Sequence, residues 1–171
     1  MKKVFLFLIL FLCIFIVTGC DDESEKVVSN GEKVSTSTMQ HKHCSREANG
    51  GSGVIVNLDY DLYYKGEELL LLKSVEQIVS SKEEKLDEYE NAYKGISEHY
   101  TGLDYYDQEV VRGDTSVTNT IIINYEKINI QKLLEIEGED DNIIENGKAK
   151  VDLWIKLAEK FGTKCEDVTS E

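Results

Sequence analysis

Val54-Ile55-Val56-Asn57-Leu58-Asp59-Tyr60-Asp61-Leu62-Tyr63-Tyr64 is the stretch on which the fold turns. Val54, Val56, Leu58, Tyr60, Leu62 and Tyr64 fall on alternate positions, with mostly polar residues between them. That period of two is the mark of a strand with one face buried. Lys65-Gly66-Glu67 follows as a hairpin turn, and a second strand is expected over Leu69–Val79. Its register is open, because Leu69 to Leu72 are apolar on both faces.

Downstream the period changes. Ser81-Lys82-Glu83-Glu84 has the spacing of a capping box. Leu86, Tyr89, Tyr93, Ile96 and Tyr100 then recur at three and four residues, as one helical stripe that Gly102 is placed to end. Two further strands are expected over Leu103–Arg112 and Thr115–Tyr125, joined at Gly113-Asp114. A short helix near Ile130–Ile136 and a last helix over about Lys148–Phe161 complete the pattern. In the last helix Val151, Trp154, Ile155, Ala158 and Phe161 share a face before Gly162. The order ββαββαα predicts an α+β domain, with an antiparallel sheet of about four strands and its helices packed on one face.

Upstream lies a different kind of sequence. Lys2 and Lys3 are followed by an unbroken apolar run from Val4 to Val17, and then by Thr18-Gly19-Cys20. A basic start, an apolar core and small residues at the end make an export signal. The run is short of the about 20 residues that a membrane span needs. Val17-Thr18-Gly19-Cys20 looks like a lipobox, so residues 1–19 are expected to be removed and Cys20 to carry a diacylglyceryl group. Two acyl chains hold a protein stably at a membrane where one does not. Residues 20–43 show no hydrophobic period and are rich in Ser, Thr, Lys, Glu and Asp. They are expected to form a flexible tether, reaching about 25–30 Å. Residues 44–171 are then the single folded domain.

Cys13 leaves with the signal and Cys20 takes lipid, so Cys44 and Cys165 remain of the four cysteines. An even pair in an oxidising compartment favours a structural disulfide. A reactive thiol pair or metal ligation are the alternatives, although neither cysteine has a partner at Cys-x-x-Cys spacing.

The formal net charge is −14, and loss of Lys2 and Lys3 makes the mature chain more negative still. So acidic a surface argues against nucleic acid and against electrostatic adsorption to anionic lipid. No glycine-rich phosphate loop, nucleophile elbow or His-Glu-x-x-His run is present, and no cofactor is implied. His41-Lys42-His43-Cys44 offers three potential metal ligands in four residues. A metal site needs ligands converging from more than one segment, so no metal is expected. Gly138-Glu139-Asp140-Asp141-Asn142 lacks the ligand spacing of a calcium loop. Arg112-Gly113-Asp114 matches an integrin-binding tripeptide, but Gly-Asp is also what a hairpin turn calls for.

The lipobox, Cys44-Ser45-Arg46, Tyr63-Tyr64-Lys65-Gly66, Asn124-Tyr125-Glu126-Lys127-Ile128 and Gly162-Thr163-Lys164-Cys165 together resemble the YehR-like family of small bacterial lipoproteins. The resemblance runs over most of the chain from Cys44 to Cys165. It implies a single-domain lipoprotein and supplies no catalytic residue. The residues themselves lead to two expected functions. The first is a non-catalytic accessory or protein-binding domain, lipid-anchored through Cys20 on the outer face of the cell membrane and contacting another envelope protein. The second is a receptor for a small ligand, glycan or peptide, with Tyr60 and Tyr64 on a strand face and Tyr89, Tyr93 and Tyr100 on a helix face lining an aromatic groove between sheet and helix; Tyr60, Tyr64, Tyr89, Tyr93, Tyr105 and Tyr106 are the candidate binding residues. That these rings simply fill the sheet-to-helix core is the favoured reading. Tyr63, Tyr105 and Tyr106 are the tyrosines expected to offer exposed contacts.

Overall fold

A computed structural model of the chain describes residues 26–138 and 142–169. The signal segment and Cys20 lie outside the described residues, as do positions 139–141 of the acidic loop.

The domain is mostly β. Its main sheet has six antiparallel strands in the order β10-β3-β4-β5-β7-β6. These are β3 (Gln40–Gly51), β4 (Val54–Lys65), β5 (Glu68–Ser80), β6 (Tyr106–Arg112), β7 (Ser116–Asn124) and β10 (Lys164–Asp167). Two small hairpins add β1 (Lys26–Ser29) with β2 (Glu32–Ser35), and β8 (Ile144–Glu145) with β9 (Lys148–Ala149). Among the described residues three helices, α1 (Glu83–His99), α2 (Ile130–Glu137) and α3 (Val151–Lys160), are the minor part.

This corrects the expected α+β domain with a sheet of about four strands. The two further strands of the sheet are β3 and β10, and both look polar in sequence. β3 pairs with β4 along most of its length and with β10 over Lys42–Ser45, so strand pairing rather than an apolar side-chain pattern places it in the sheet. The segment expected to be a tether is also folded from residue 26 onward. Val27 and Val34 oppose one another across β1 and β2, and Asn30-Gly31 makes the turn with φ of 51° and 75°. Asn-Gly is the preferred pair where both central residues must take positive φ.

The β1–β2 hairpin lies on the sheet face opposite the helices. Val27 packs there with Tyr63 and Leu71, supported by Val34, Met39 and Ile122. Tyr63, expected to be an exposed contact, is therefore 2 % exposed. The same covering explains why Leu69 to Leu72 are all buried. One face of the sheet meets the hairpin and the other meets the helices. The register shifts between Tyr63 and Tyr64, where one extra residue of β5 is accommodated.

On the helix side the core has two parts. Leu62, Leu69, Leu72, Ile123, Leu133 and Val151 anchor the larger one, beneath α2 and α3. Ile78, Val117, Leu86 and Tyr93 form the smaller one, beneath α1. Helix α1 begins without the expected capping box. Its N-cap is Lys82, with no side-chain cap bond. Ser80 Oγ accepts from Lys82 N–H instead, while donating to the Gly53 carbonyl. Ile96, expected in the buried stripe, is exposed, as is Phe161 after α3. Lys148-Ala149 belongs to β9 and not to the last helix.

Cys44 and Cys165 are bridged. They face one another directly in the β10–β3 ladder, with Cα atoms 4.0 Å apart.

Candidate functional site

The six tyrosines expected to take part in binding are distributed over several environments. Tyr60 meets Trp154 of α3 edge to face, with ring centroids 4.9 Å apart. Tyr64 is buried in the larger core. Tyr89 and Tyr93 belong to the smaller one, at 6.3 Å from each other. Tyr105 takes a positive φ of 67° and lies beneath the Lys127 ammonium, 5.3 Å from the ring centroid. Tyr106 stacks flat on Tyr100, at 3.9 Å and an interplanar angle of 1°.

That last pair lines a shallow cleft. It has a volume of about 310 Å³ and lies beside β6 at the C-terminal end of α1. Tyr100 and Tyr106 line it together with Asn30, Asp104, Asp107 and Gln108. Three distant segments meet there. The tip of the β1–β2 hairpin is fixed by Asn30 N–H donating to Asp107 Oδ2 at 2.7 Å. The end of α1 contributes Tyr100, whose hydroxyl donates to Glu137 Oε1 of α2 at 3.1 Å. Gln108 Nε2 donates to the Tyr93 carbonyl at 3.1 Å and to Asn119 Oδ1 at 2.8 Å. Its Oε1 is left buried without a partner. The amide cannot be turned over to relieve this, because its oxygen would then face the Tyr93 carbonyl.

Burial dominates the electrostatics of this corner. It pushes the Tyr100 hydroxyl up to about 12, with the neighbouring Glu137 charge adding to the effect. Tyr106 is raised still further, by burial first and then by Tyr100 and Glu137. The Glu137 carboxyl is itself raised by desolvation, against the opposing pull of its bond to Tyr100. The tyrosines are therefore neutral donors at physiological pH, and nothing here resembles an activated nucleophile.

Deeper under α1, Glu76 is raised by desolvation and lies beside the Tyr93 hydroxyl. Tyr93 is shifted well above its ordinary value, by burial first and the Glu76 charge second. The two are close enough to influence each other's ionisation, but the Tyr93 hydroxyl makes no hydrogen bond of ordinary geometry.

On the opposite face, His41 and His43 converge on a single oxygen. His41 Nε2 is 2.9 Å, and His43 Nδ1 3.1 Å, from Asp61 Oδ1. His43 Nε2 lies 3.4 Å from Asp59 Oδ1. These groups bond to one another, and His41 also stacks on Tyr63 at 4.5 Å. Among the described residues, no three His, Cys, Asp or Glu side chains are arranged to hold a metal ion. Cys44, the third potential ligand in that segment, is taken up by the disulfide. Arg112-Gly113-Asp114 forms the β6–β7 turn, closed by Gly113 N–H to the Ser116 carbonyl at 2.8 Å. Its arginine is held back against α1 by Asp87, at 3.2 Å.

The sheet face that carries the hairpin is covered only at one end. Beyond Asp61 and Lys73, three rows cross it without an overlying element among the described residues. They run through Asp59, Val75, Thr120 and Glu109, then Asn57, Gln77, Thr118 and Val111, then Ile55, Val79 and Ser116. Val111 and Ile55 are about half exposed, at 51 % and 45 %. β6 is the outer strand, paired only with β7.

These features define a mostly β domain with one clothed and one partly bare sheet face. No protein-family model matches the chain, and no curated protein matches it in sequence. Its fold is that of YehR. The NMR structure of the E. coli YehR protein superposes with a TM-score of 0.53 at 17 % identity, covering 78 % of this chain and 96 % of that one. The NMR structure of a protein from Streptococcus pneumoniae TIGR4 is also similar, with a TM-score of 0.47 at 17 % identity, covering 82 % and 90 %. Among the described residues no helix is long and apolar enough to cross a membrane.

Proposed function

We propose that the chain is an exported, lipid-anchored binding domain that contacts another envelope protein through its bare sheet face and the adjoining β6 edge. The carrying observation is the asymmetry of that face. The β1–β2 hairpin seals one end around Tyr63, while the rows from Asp59–Glu109 to Ile55–Ser116 stay open beside an outer strand. An unpaired strand edge is a template for pairing with another chain. The disulfide supports an oxidising compartment outside the cytoplasm. The signal ending at Cys20 supports the anchor. The absence of catalytic motifs in the sequence favours binding over chemistry.

The test places a photo-crosslinking residue at Thr118 on the bare face, and separately at Lys156 on α3, in intact cells. A discrete adduct from position 118 that is absent from position 156 supports the reading. Equal labelling from both positions, or none from either, overturns it. Intact-mass analysis of the native and Cys20→Ser proteins checks the anchor independently.

A further inference from the structure

We propose that the helix side of the sheet binds a short peptide with free ends in the opening between α1 and α3, its ammonium held at Glu76 and its carboxylate at Arg46. This rests on neither the bare sheet face nor the lipid anchor.

The opening follows from how the two cores divide. Arg46, Leu58 and Glu76 are register partners across β3, β4 and β5, on the same side of the sheet as Cys44, Leu62 and Ile78. The larger core lies to one side of this row and the smaller core to the other. Leu58 belongs to neither, although β4 is a central strand. Arg46, Leu58 and Glu76 each keep part of their surface in contact with solvent. An apolar side chain at the middle of a helix-covered sheet face is ordinarily buried. Here the helices leave it partly uncovered.

Polar groups without partners gather around Leu58. Among the described residues, burial and the Tyr93 hydroxyl act on the Glu76 carboxyl, and no cation does. Tyr93 of α1 is only 4 % exposed, and its hydroxyl, beside Glu76, makes no hydrogen bond of ordinary geometry. The Tyr60 hydroxyl is raised by burial first and by the Glu76 charge second, while the Arg46 charge opposes both. One phenol that responds to both charges has them on either hand. Arg46 itself leans toward the end of α3, its Nε 3.9 Å from where a Cβ on Gly162 would stand. The two charges therefore flank Leu58 without pairing. Trp154 of α3 forms the wall beside them, edge to face with Tyr60 at 4.9 Å.

A carboxylate drawn partly out of water without a cation is under-compensated, and an ammonium supplies both the charge and three donors. The guanidinium of Arg46 offers a matching fork to a carboxylate. Between the two, Leu58 and the Tyr60 and Trp154 rings suit an apolar side chain. Neighbouring strands about 4.8 Å apart put Arg46 and Glu76 roughly 10 Å from each other at Cα. An extended chain covers about 3.3–3.6 Å per residue, so about three residues bridge that span. A single amino acid is too short to reach both charges, and a simple cation leaves Arg46 unmet.

The experiment titrates the folded, disulfide-intact protein with the tripeptide Ala-Leu-Ala, its N-acetylated form, its C-terminal amide and free leucine. Trp154 is the one tryptophan of the chain, so its fluorescence reports binding beside Tyr60. Amide NMR shifts locate the site and are expected to centre on Leu58, Ser74 and Glu76. N-acetylation and Glu76→Gln should each weaken binding about tenfold, and together no more than either alone, because each removes one half of the same contact. Amidation and Arg46→Gln should behave as a second such pair. Glu84→Gln, at the exposed start of α1, should change the affinity less than about twofold. The modified peptides test both contacts on the native protein, and far-ultraviolet circular dichroism confirms that the variants stay folded. Losses that multiply when N-acetylation is combined with Glu76→Gln would separate the ammonium from Glu76 and overturn the proposal. So would free leucine binding as tightly as the tripeptide, shifts centred elsewhere, or no binding of the tripeptide.

Discussion

Unfolding the protein with and without its disulfide should move the urea midpoint by about 1.5–2.5 M. Cys44 and Cys165 are 121 residues apart in sequence, so the bridge closes almost the whole described chain into one loop. With a loop that long, the entropy removed from the unfolded state amounts to about 5 kcal/mol at 25 °C. Measured contributions usually fall below that limit, so about 3–5 kcal/mol is expected. For a domain of this size a urea m-value near about 2 kcal/mol/M converts that range into the stated shift.

The assay is equilibrium unfolding of the oxidised chain and of the same chain in excess phosphine reductant. Using one sequence keeps both sulfur atoms in place, which matters because Cys44 is fully buried in the larger core. A Cys44→Ala/Cys165→Ala variant should lose about 1 kcal/mol more, from the small cavity left behind. The reduced chain should also show a larger m-value, since its unfolded state is free to expand. A midpoint shift under about 0.3 M with an unchanged m-value would refute the reasoning, and would mean that the unfolded chain holds its ends together without the bridge.

Two further outcomes follow from the packing and the tyrosine cluster. Val27→Ala should cost about 1–2 kcal/mol in urea unfolding, because Val27 is buried against Tyr63 and Leu71; a residue in an unstructured tether would lie within about 0.5 kcal/mol of zero. Tyr100 is raised in the folded state to about 12, so its contribution is fully present below the ordinary tyrosine range near about 10 and is lost as pH rises through about 12. Melting temperature should therefore fall across that window more steeply in the native protein than in Tyr100→Phe, with tyrosinate absorbance at 295 nm appearing as it does so; parallel curves for the two proteins would contradict the burial assigned to this hydroxyl.

The parts of the fold that were legible in the sequence are those in which side chains alternate or recur against one dominant core. β4 and β5 announce themselves by period, as does α1, and the Lys65-Gly66 turn is where the register requires it. β3 was illegible because it is held by pairing with β4 along most of its length and with β10 over Lys42–Ser45, and those backbone bonds leave no hydrophobic pattern. β10 is four residues long, too short for periodicity to register. The hairpin of β1 and β2 did leave a signal, Asn30-Gly31 flanked by Val27-Val28 and Val34. Its polar surroundings concealed it, and with it the burial of Tyr63. The disulfide was legible from arithmetic, since two cysteines remain once the signal and the lipid site are set aside. The cleft was not. Tyr100 stood in the helical stripe and Tyr106 among the aromatic candidates, but Asn30 and Gln108 reach them only through the order in which the strands assemble.

The position of the bridge also sets how the domain answers a mechanical load. A pull applied to its two ends reaches Cys44 and Cys165 before it reaches β4, β5, β6 or β7, because the bridge closes the chain between residues 44 and 165 into one loop. What can yield is the chain outside them. Residues 26–43 would peel away first and give up roughly 60 Å at about 3.3–3.6 Å per residue. The slack is then exhausted, and the covalent link carries the force past β4, β5, β6 and β7 without loading them. Under tension the domain behaves as a short extensible lead joined to an inextensible body, and Tyr63 and Leu71 lose their cover from Val27 while the helix-side core remains closed.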